Sequence, residues 1–222
     1  MDTWGRLRGL QSAALPPITA IHQSATLLVA DKPAGLLCVP GRGPAGSDNL
    51  AARVQAHCPD ALVVHRLDMA TSGLVLFGRG VAAQRALSIA FAGRQVHKRY
   101  EAVVTGLLAA QAGEIDLPIG PDWPNRPRQQ VDHVAGKPST TRWQVLAWDG
   151  ASDTTRLALQ PLTGRTHQLR LHLAAIGHPI LGDALYAPPA VQDRAPRLLL
   201  HACELAWTDA AGAHMFQSPC PF

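Results

Sequence analysis

HRLDMATSGLVLFG, residues 65–78, sets an acid, two basic groups and two hydroxyls between stretches that are almost wholly apolar. ALVV (61–64) precedes the polar part and LVLFG (74–78) closes it; both are short, apolar and strand-like. A polar connection between two strands is ordinarily a solvated turn, with Thr71, Ser72 and Gly73 supplying turn and capping chemistry. His65 and Arg66 beside Asp68 are more recognition chemistry than a turn needs. These residues alone leave both readings open.

Outward toward the N-terminus, TLLVAD (26–31) predicts a strand, KPAG a turn and LLCVP (36–40) a second strand, with GRGPAGS as loop. Asp48 can cap a helix from Asn49 to about His57, which Pro59 helps to end. Toward the C-terminus, residues 80–93 fit an amphipathic helix that stops near Gly93. RYEAVVTGLL, EIDLPIG, TRWQVLAW, RLALQPL, RLLLHACELAW and HMFQ read as further strands. In THQLRLHLAAIG, Leu169, Leu173 and Ile176 recur at helical spacing, Thr166 can cap the start and Gly177 the end. Most connections are too short for a parallel crossover, so neighbouring strands should pair antiparallel. The expected class is α+β, a mixed and mainly antiparallel sheet flanked by helices. Residues 1–18 are expected to be a flexible segment and 19–222 a single domain, whose regular structure starts near Thr26.

With 222 residues and 47% hydrophobic content, the chain can bury a real core. Lys and Arg exceed Asp and Glu by 20 to 16, and the pI is ≈ 9.2, which favours a polyanionic partner over a cationic one. The four cysteines, Cys38, Cys58, Cys203 and Cys220, lie far apart and read as free thiols. No apolar signal core and no run of 18 apolar residues is present, so a cytoplasmic location is expected and a membrane is not.

Three further segments carry candidate chemistry. In RTHQLRLH, Arg170 falls at the edge of the apolar helix stripe, where a half-buried guanidinium needs a carboxylate. Arg165 and His167 stand near the helix start, where free N–H groups favour an anion; a plain surface Arg pair fits the segment equally well. PDWPNRPRQQ (121–130) interleaves Trp123 with Arg126 and Arg128 on a proline-stiffened loop, which suits stacking and phosphate contact with RNA loops, though such a loop can also simply pack on itself. GRQVHKRYEAV sets Arg94, His97, Lys98 and Arg99 before Tyr100; a tyrosine entering a strand is more often core than catalyst. His167, His172 and His178 lack zinc-ligand spacing, and neither a phosphate-binding glycine loop nor a nucleophilic Ser or Cys signature occurs.

Taken in order, HRLDMATSG, KRYEAVVTG, PLTGRTHQLRLHLAAIGHPILGD and RLLLHA resemble the RluA-type pseudouridine synthase family, over nearly all of the chain from DKPAGLLCVPG to RLLLHACEL. The PDWPNRPRQQ loop and the lack of an N-terminal S4 domain look like the short members that modify both large-subunit ribosomal RNA and a tRNA anticodon stem-loop. The resemblance implies a split, mainly antiparallel central sheet with the active cleft between its parts. It implies Asp68 as the catalytic acid, Tyr100 as the ring packed on the target uracil, Arg170 as the partner of Asp68, and Arg66 as a group that helps to displace the target nucleotide. Arg165, His167 and Gln168 fall in the same motif, with backbone contact or support as their roles. Arg94, Lys98, Arg99, Trp123, Arg126 and Arg128 complete the expected RNA-binding set. The implied enzyme works as a monomer with no cofactor and no metal, since it only breaks the N1–C1′ bond, turns the base and rejoins it through C5. A pseudouridine synthase with only one RNA substrate class, a non-catalytic RNA-binding module and a glycosidic hydrolase are the competing readings; the last wants a pair of carboxylates, and Glu101 and Asp183 are candidates without a signature.

Overall fold

The computed structural model describes residues 18–43 and 46–222; the N-terminal segment expected to be flexible therefore lies, up to residue 17, outside the described residues. The chain opens with β1 (Thr19–Gln23) and β2 (Leu27–Lys32), passes through α1 (Leu50–Gln55), and returns as β3 (Ala61–Val63) and β4 (Ser72–Arg79) before α2 (Gly80–Ala92). Continuous apolar runs in β2 and β4 follow from burial on both faces. Leu28, Ala30, Val75 and Phe77 pack with Leu50, Ala51 and Val54 of α1. Leu27, Val29, Leu74 and Leu76 pack on the opposite side with Leu87 of α2.

A second half-sheet is built from β5 (His97–Thr105), β6 (Ala112–Asp116), β9 (Thr140–Asp149) and β10 (Thr154–Pro161), while β7 (Ile119–Pro121) and β8 (Gln129–Val131) form a separate two-stranded ribbon. Here the sequence alternates, as in RLALQP, because only one face is covered. Leu157 and Leu159 join Ala102 and Val104 beneath Leu169 and Leu173 of α3 (Gln168–Ala175). After the single turn α4 (Pro189–Gln192), β11 (Leu200–Asp209) and β12 (Gly212–Gln217) end the fold. The main sheet runs β1-β2-β4-β11-β5-β10-β9-β6, with β12 also paired to β11 and β3 to β4.

The halves meet at β4 and β11, which pair in parallel through only His201↔Ser72 and Ala202↔Gly73. Beyond that seam β4 stays with β2 and β3, and β12 takes the vacated side of β11 from Glu204 onward. Gly73 makes the approach feasible: its φ is +112°, and a Cβ there would stand 2.3 Å from the Ala202 carbonyl oxygen. The sheet is thus mixed and mainly antiparallel, as expected, with one parallel contact that short connections did not announce.

Several local expectations are corrected. LLCVP forms no strand: Leu37 makes a single parallel bridge to Asn49, while Leu36 and Cys38 turn into the core. Asn49, not Asp48, caps α1, accepting from the Ala52 N–H at 3.0 Å; Asp48 instead pairs with Arg53. Regular structure begins at Thr19, ahead of Thr26, because β1 adds an edge strand antiparallel to β2. EIDLPIG divides between β6 and β7. Thr166 does not cap α3; His167 occupies that position in the left-handed region at φ 56°, with no side-chain cap. Gly177, at φ +87°, does close the helix, with its N–H on the Ala174 carbonyl and that of His178 on Leu173.

Candidate active site

Residues 64–71 form an irregular loop between β3 and β4, and the fold grips it on both sides of Asp68. Ahead of the acid, the His65 ring stacks on Phe91 at 4.4 Å and its Nε2 accepts the Leu76 N–H at 3.0 Å. Burial, then the charge of Lys98, pushes His65 down to about 3, so it is a neutral strut. Behind the acid, the Met69 carbonyl accepts from the Gly35 N–H at 2.8 Å and from Lys32 Nζ at 3.0 Å. Lys32 is fully buried, with its other donors on the carbonyls of Pro33 and Leu36; burial lowers it to about 8 despite nearby Asp68 and Cys38. The KPAG turn is therefore the floor of this loop.

Among the described residues Asp68 makes its hydrogen bond through its backbone, its carbonyl accepting the Thr71 N–H at 3.1 Å. Its side chain keeps 24% exposure and faces Arg170, with Oδ2 3.8 Å from Nη1. The close partner of Arg170 is a different acid. Asp183 takes its Nε and Nη2 at 2.8 and 2.6 Å with no exposure of its own. Burial drives the Asp183 carboxyl up, but the Arg170 bonds and charge and the Leu185 and Tyr186 N–H groups outweigh this and hold it below the carboxylate range. The expected Asp68–Arg170 pair is thus the looser arm of a three-residue array. Asp183 was named only as a candidate second acid for a hydrolase and not as the partner of Arg170; the signal for that pairing was that a half-buried Arg170 wanted an acid.

Tyr100 leaves β5 at the junction of two core clusters and lines the same cleft as Asp68, a space of ≈ 990 Å³. Burial first, then Asp68, raises its phenol, so the ring stays protonated. Arg66, Arg94, Lys98, Arg165 and His167 also line the cleft. Lys98 reaches the Thr163 carbonyl at 3.4 Å, and burial followed by Arg94 lowers it.

The remaining expected residues are placed differently. Strand alternation turns Arg99 to the other face of β5, where it pairs with Glu101 at 3.2 Å; it is not among the cleft-lining residues, so the basic strip is divided. Gln168 is buried and its amide is spent inside the protein. It accepts from Thr163 Oγ1 and the Arg165 N–H, and donates to the Thr140 carbonyl and Thr141 Oγ1. It supports the loop rather than offering itself to RNA. Trp123, Arg126 and Arg128 lie on the connection between β7 and β8, away from the cleft lining. Trp123 is 63% exposed with the Arg126 guanidinium 3.6 Å over its ring, and Arg128 stands 5.5 Å from the Tyr186 ring. Among the described residues no three His, Cys, Asp or Glu gather as metal ligands; His172 is buried between Thr141 Oγ1 and the Leu117 carbonyl. No helix among the described residues is long and apolar enough to cross a membrane.

Residues 26–175 match the family model described as RNA pseudouridylate synthase. The chain is 48% identical over 192 residues to the dual-specificity RNA pseudouridine synthase RluA of Vibrio cholerae serotype O1, covering 86% of this chain and 78% of that one. Against the Escherichia coli K12 protein of the same name, identity is 44% over 209 residues, covering 93% and 95%. Among solved structures, human RNA pseudouridylate synthase domain containing 1 superposes with a TM-score of 0.80 at 28% identity, over 96% of this chain and 87% of that one. Human RNA pseudouridylate synthase domain containing 4, at 22% identity and a TM-score of 0.75 over 98% and 92%, shares the fold.

Proposed function

The chain belongs to the RNA pseudouridylate synthase family and is an isomerase of that class, and from that premise we propose that it acts on uridines of both large-subunit ribosomal RNA and a tRNA anticodon stem-loop. The observation that carries the catalytic assignment is the partly exposed Asp68, 3.8 Å from Arg170 in a cleft it shares with Tyr100. The relatives named for dual specificity cover most of this chain and support the two-substrate reading.

The target base leaves its stack and enters the cleft, at a cost of a few kcal/mol that stacking and phosphate contacts offset. Arg66, exposed at the mouth, helps displace the nucleotide. Asp68 then acts on the ribose as a carboxylate, either on C1′ as nucleophile or on the C2′ proton as base. The N1–C1′ bond breaks, the base turns and C5–C1′ forms; C5 gives up its proton and N1 gains one, so composition is unchanged. Tyr100 serves as the packing surface for the base, a role its protonated, half-buried ring supports better than proton transfer. Arg94, Lys98, Arg165, Trp123, Arg126 and Arg128 engage the RNA. Residues 19–222 work as a single catalytic unit and as a monomer, in the cytoplasm, where both RNAs reside; four free cysteines suit that reducing compartment.

A product assay on unmodified ribosomal fragments and an anticodon stem-loop tests this. Pseudouridine in both RNAs is expected. Product in one class alone overturns the dual reading, free uracil points to a hydrolase, and unchanged RNA leaves only a binding module.

A further inference from the structure

Tyr186 does not line the cleft, yet it joins three parts of the molecule that do different work. Its hydroxyl oxygen accepts the Gln129 backbone N–H at 2.7 Å, at the end of the Trp123–Arg126–Arg128 loop. The same oxygen lies 2.8 Å from His167 Nδ1, on the loop that enters α3. Its ring stands 5.3 Å from the Arg170 guanidinium, and its own N–H is held by Asp183.

The proton inventory then assigns the imidazole. A neutral tyrosine has one hydroxyl proton to place; its oxygen accepts from Gln129, and among the described residues His167 Nδ1 is the acceptor beside it, so donation of that proton to a bare Nδ1 leaves no donor unspent. The imidazole therefore carries its proton on Nε2. Nε2 has no partner among the described residues, and His167 lines the cleft within electrostatic reach of Asp68, Arg170, Asp183 and Arg66. Backbone geometry agrees that the ring is placed for a purpose: His167 sits at φ 56°, a region a non-glycine residue occupies only when its surroundings impose it.

We propose that Tyr186 is a positioning residue that locks His167 as a neutral imidazole with Nε2–H aimed into the cleft, where it donates to an acceptor oxygen of the target nucleotide. The bond from Gln129 makes the RNA-facing loop part of the same lock, so engagement of that loop and orientation of the base are mechanically linked. An uncharged donor suits this place: beside Asp68 it orients an oxygen without adding a second cation to compete with Arg170 for the acid. Burial, more than the nearby charges, lowers the His167 pKa, which keeps the ring neutral as this tautomer requires. The substrate part of the proposal rests on the function proposed above; the tautomer does not.

Long-range proton–nitrogen NMR on histidine-labelled protein without RNA reads the tautomer directly, with the His167→Gln spectrum assigning the signal. A single proton on Nε2 at pH 7 is expected; a proton on Nδ1, or a charged ring, overturns the proposal. In single-turnover assays at saturating enzyme, Tyr186→Phe, which removes the bonds to both His167 and Gln129, should slow isomerisation about tenfold, the scale of the lost bond to His167, while RNA affinity stays within about twofold. Burial persists in this variant, so the ring should stay neutral but lose its fixed tautomer, and an Nδ1-protonated form should appear beside the Nε2-protonated one in the NMR spectrum. An unchanged rate and an unchanged single tautomer in Tyr186→Phe would sink the positioning role. His167→Gln keeps an N–H near the place of Nε2 and should retain more activity than His167→Leu; equal rates for the two count against the donor. If the parent protein makes no pseudouridine at all, the functional reading fails while the NMR result still decides the tautomer.

Discussion

Two loops bring a carboxylate to the same guanidinium, and they do it differently. The 180–187 loop delivers Asp183 fully buried, with two bonds under 3 Å to Arg170 and two backbone N–H groups on its Oδ1. The 64–71 loop delivers Asp68 partly open to solvent, with one contact at 3.8 Å and no other partner for its oxygens among the described residues. One acid fixes the position of the arginine, and the other uses the position so fixed. A carboxylate whose lone pairs are all committed cannot reach ribose; a carboxylate with none committed would lack a set direction.

The sharpest way to break this contrast is Asp68→Asn. Asparagine keeps the shape but can neither attack ribose nor take its proton, so single-turnover assays should show no pseudouridine. Its stability cost should stay within about 1 kcal/mol, because the pair it breaks is long and partly solvated. Measurable product from a folded Asp68→Asn protein would remove the acid from the chemistry. Asp183→Asn should reverse the profile. Leaving Arg170 buried without its bidentate partner costs roughly 3–5 kcal/mol, read as a lowered urea midpoint, and the residual activity of folded protein falls because the guanidinium is no longer held. If Asp183→Asn were as stable as the parent, the division of labour would be wrong.

The same contrast between committed and uncommitted groups extends to the arginines. Arg94, Arg126 and Arg128 have no carboxylate partner among the described residues, whereas Arg99 is paired with Glu101. Changing the first three to Ala should weaken binding across RNA sequences and flatten the salt dependence by about two units of slope, at roughly 0.7 per lost contact to a single strand. Arg99→Ala should leave the slope alone. A slope that responds to Arg99 and ignores the other three would mean that RNA lies on the opposite face of the sheet.

Acid titration gives the smallest effect. Asp183 has its pKa lowered by folding, so its contribution is complete above the unfolded value near ~3.9 and is lost as pH falls through the folded value. His65, pushed down to about 3, binds no proton in the fold where the unfolded chain does, so its contribution declines from ~6.5 downward. Parent stability should therefore sag first below pH ~6.5 and again below ~4. Asp183→Asn should keep the first decline and lose the second in urea titrations; parallel curves for the two proteins would show that Asp183 is not the group responsible.

Much of this architecture was legible because local pattern and local structure coincide. Both faces of β2 and β4 are buried, and their sequences are unbroken apolar runs; β10 is buried on one face, and RLALQP alternates. Asp68, Tyr100 and Arg170 stood in dense motifs and share one region. What was not legible depends on partners remote in sequence. Nothing near Ser72 announces a parallel pairing with His201, 129 positions away. Asp183 lies 13 residues beyond Arg170 in a loop whose tightness is visible only where a Cβ on Gly182 would stand 1.9 Å from the Arg197 carbonyl oxygen. LLCVP misled because Leu36 and Cys38 face inward as a strand's alternate residues would, yet only Leu37 finds a pairing partner. β1 was passed over because all five of its residues are exposed, leaving no apolar alternation to see.

The three nitrogens of Arg170 carry a last consequence, for how such a sequence can change over generations. Nε and Nη2 are engaged by Asp183 and Nη1 faces Asp68, so a lysine, with one point of charge on a flexible stem, cannot serve both acids. Mutation at any of these codons is felt at the other two, although they lie on two loops and a helix. The trio constrains change as one unit: the exposed end of α3 at Ala175 tolerates replacement, but Arg170 cannot be exchanged by single steps without passing through a protein that is either unstable or inert.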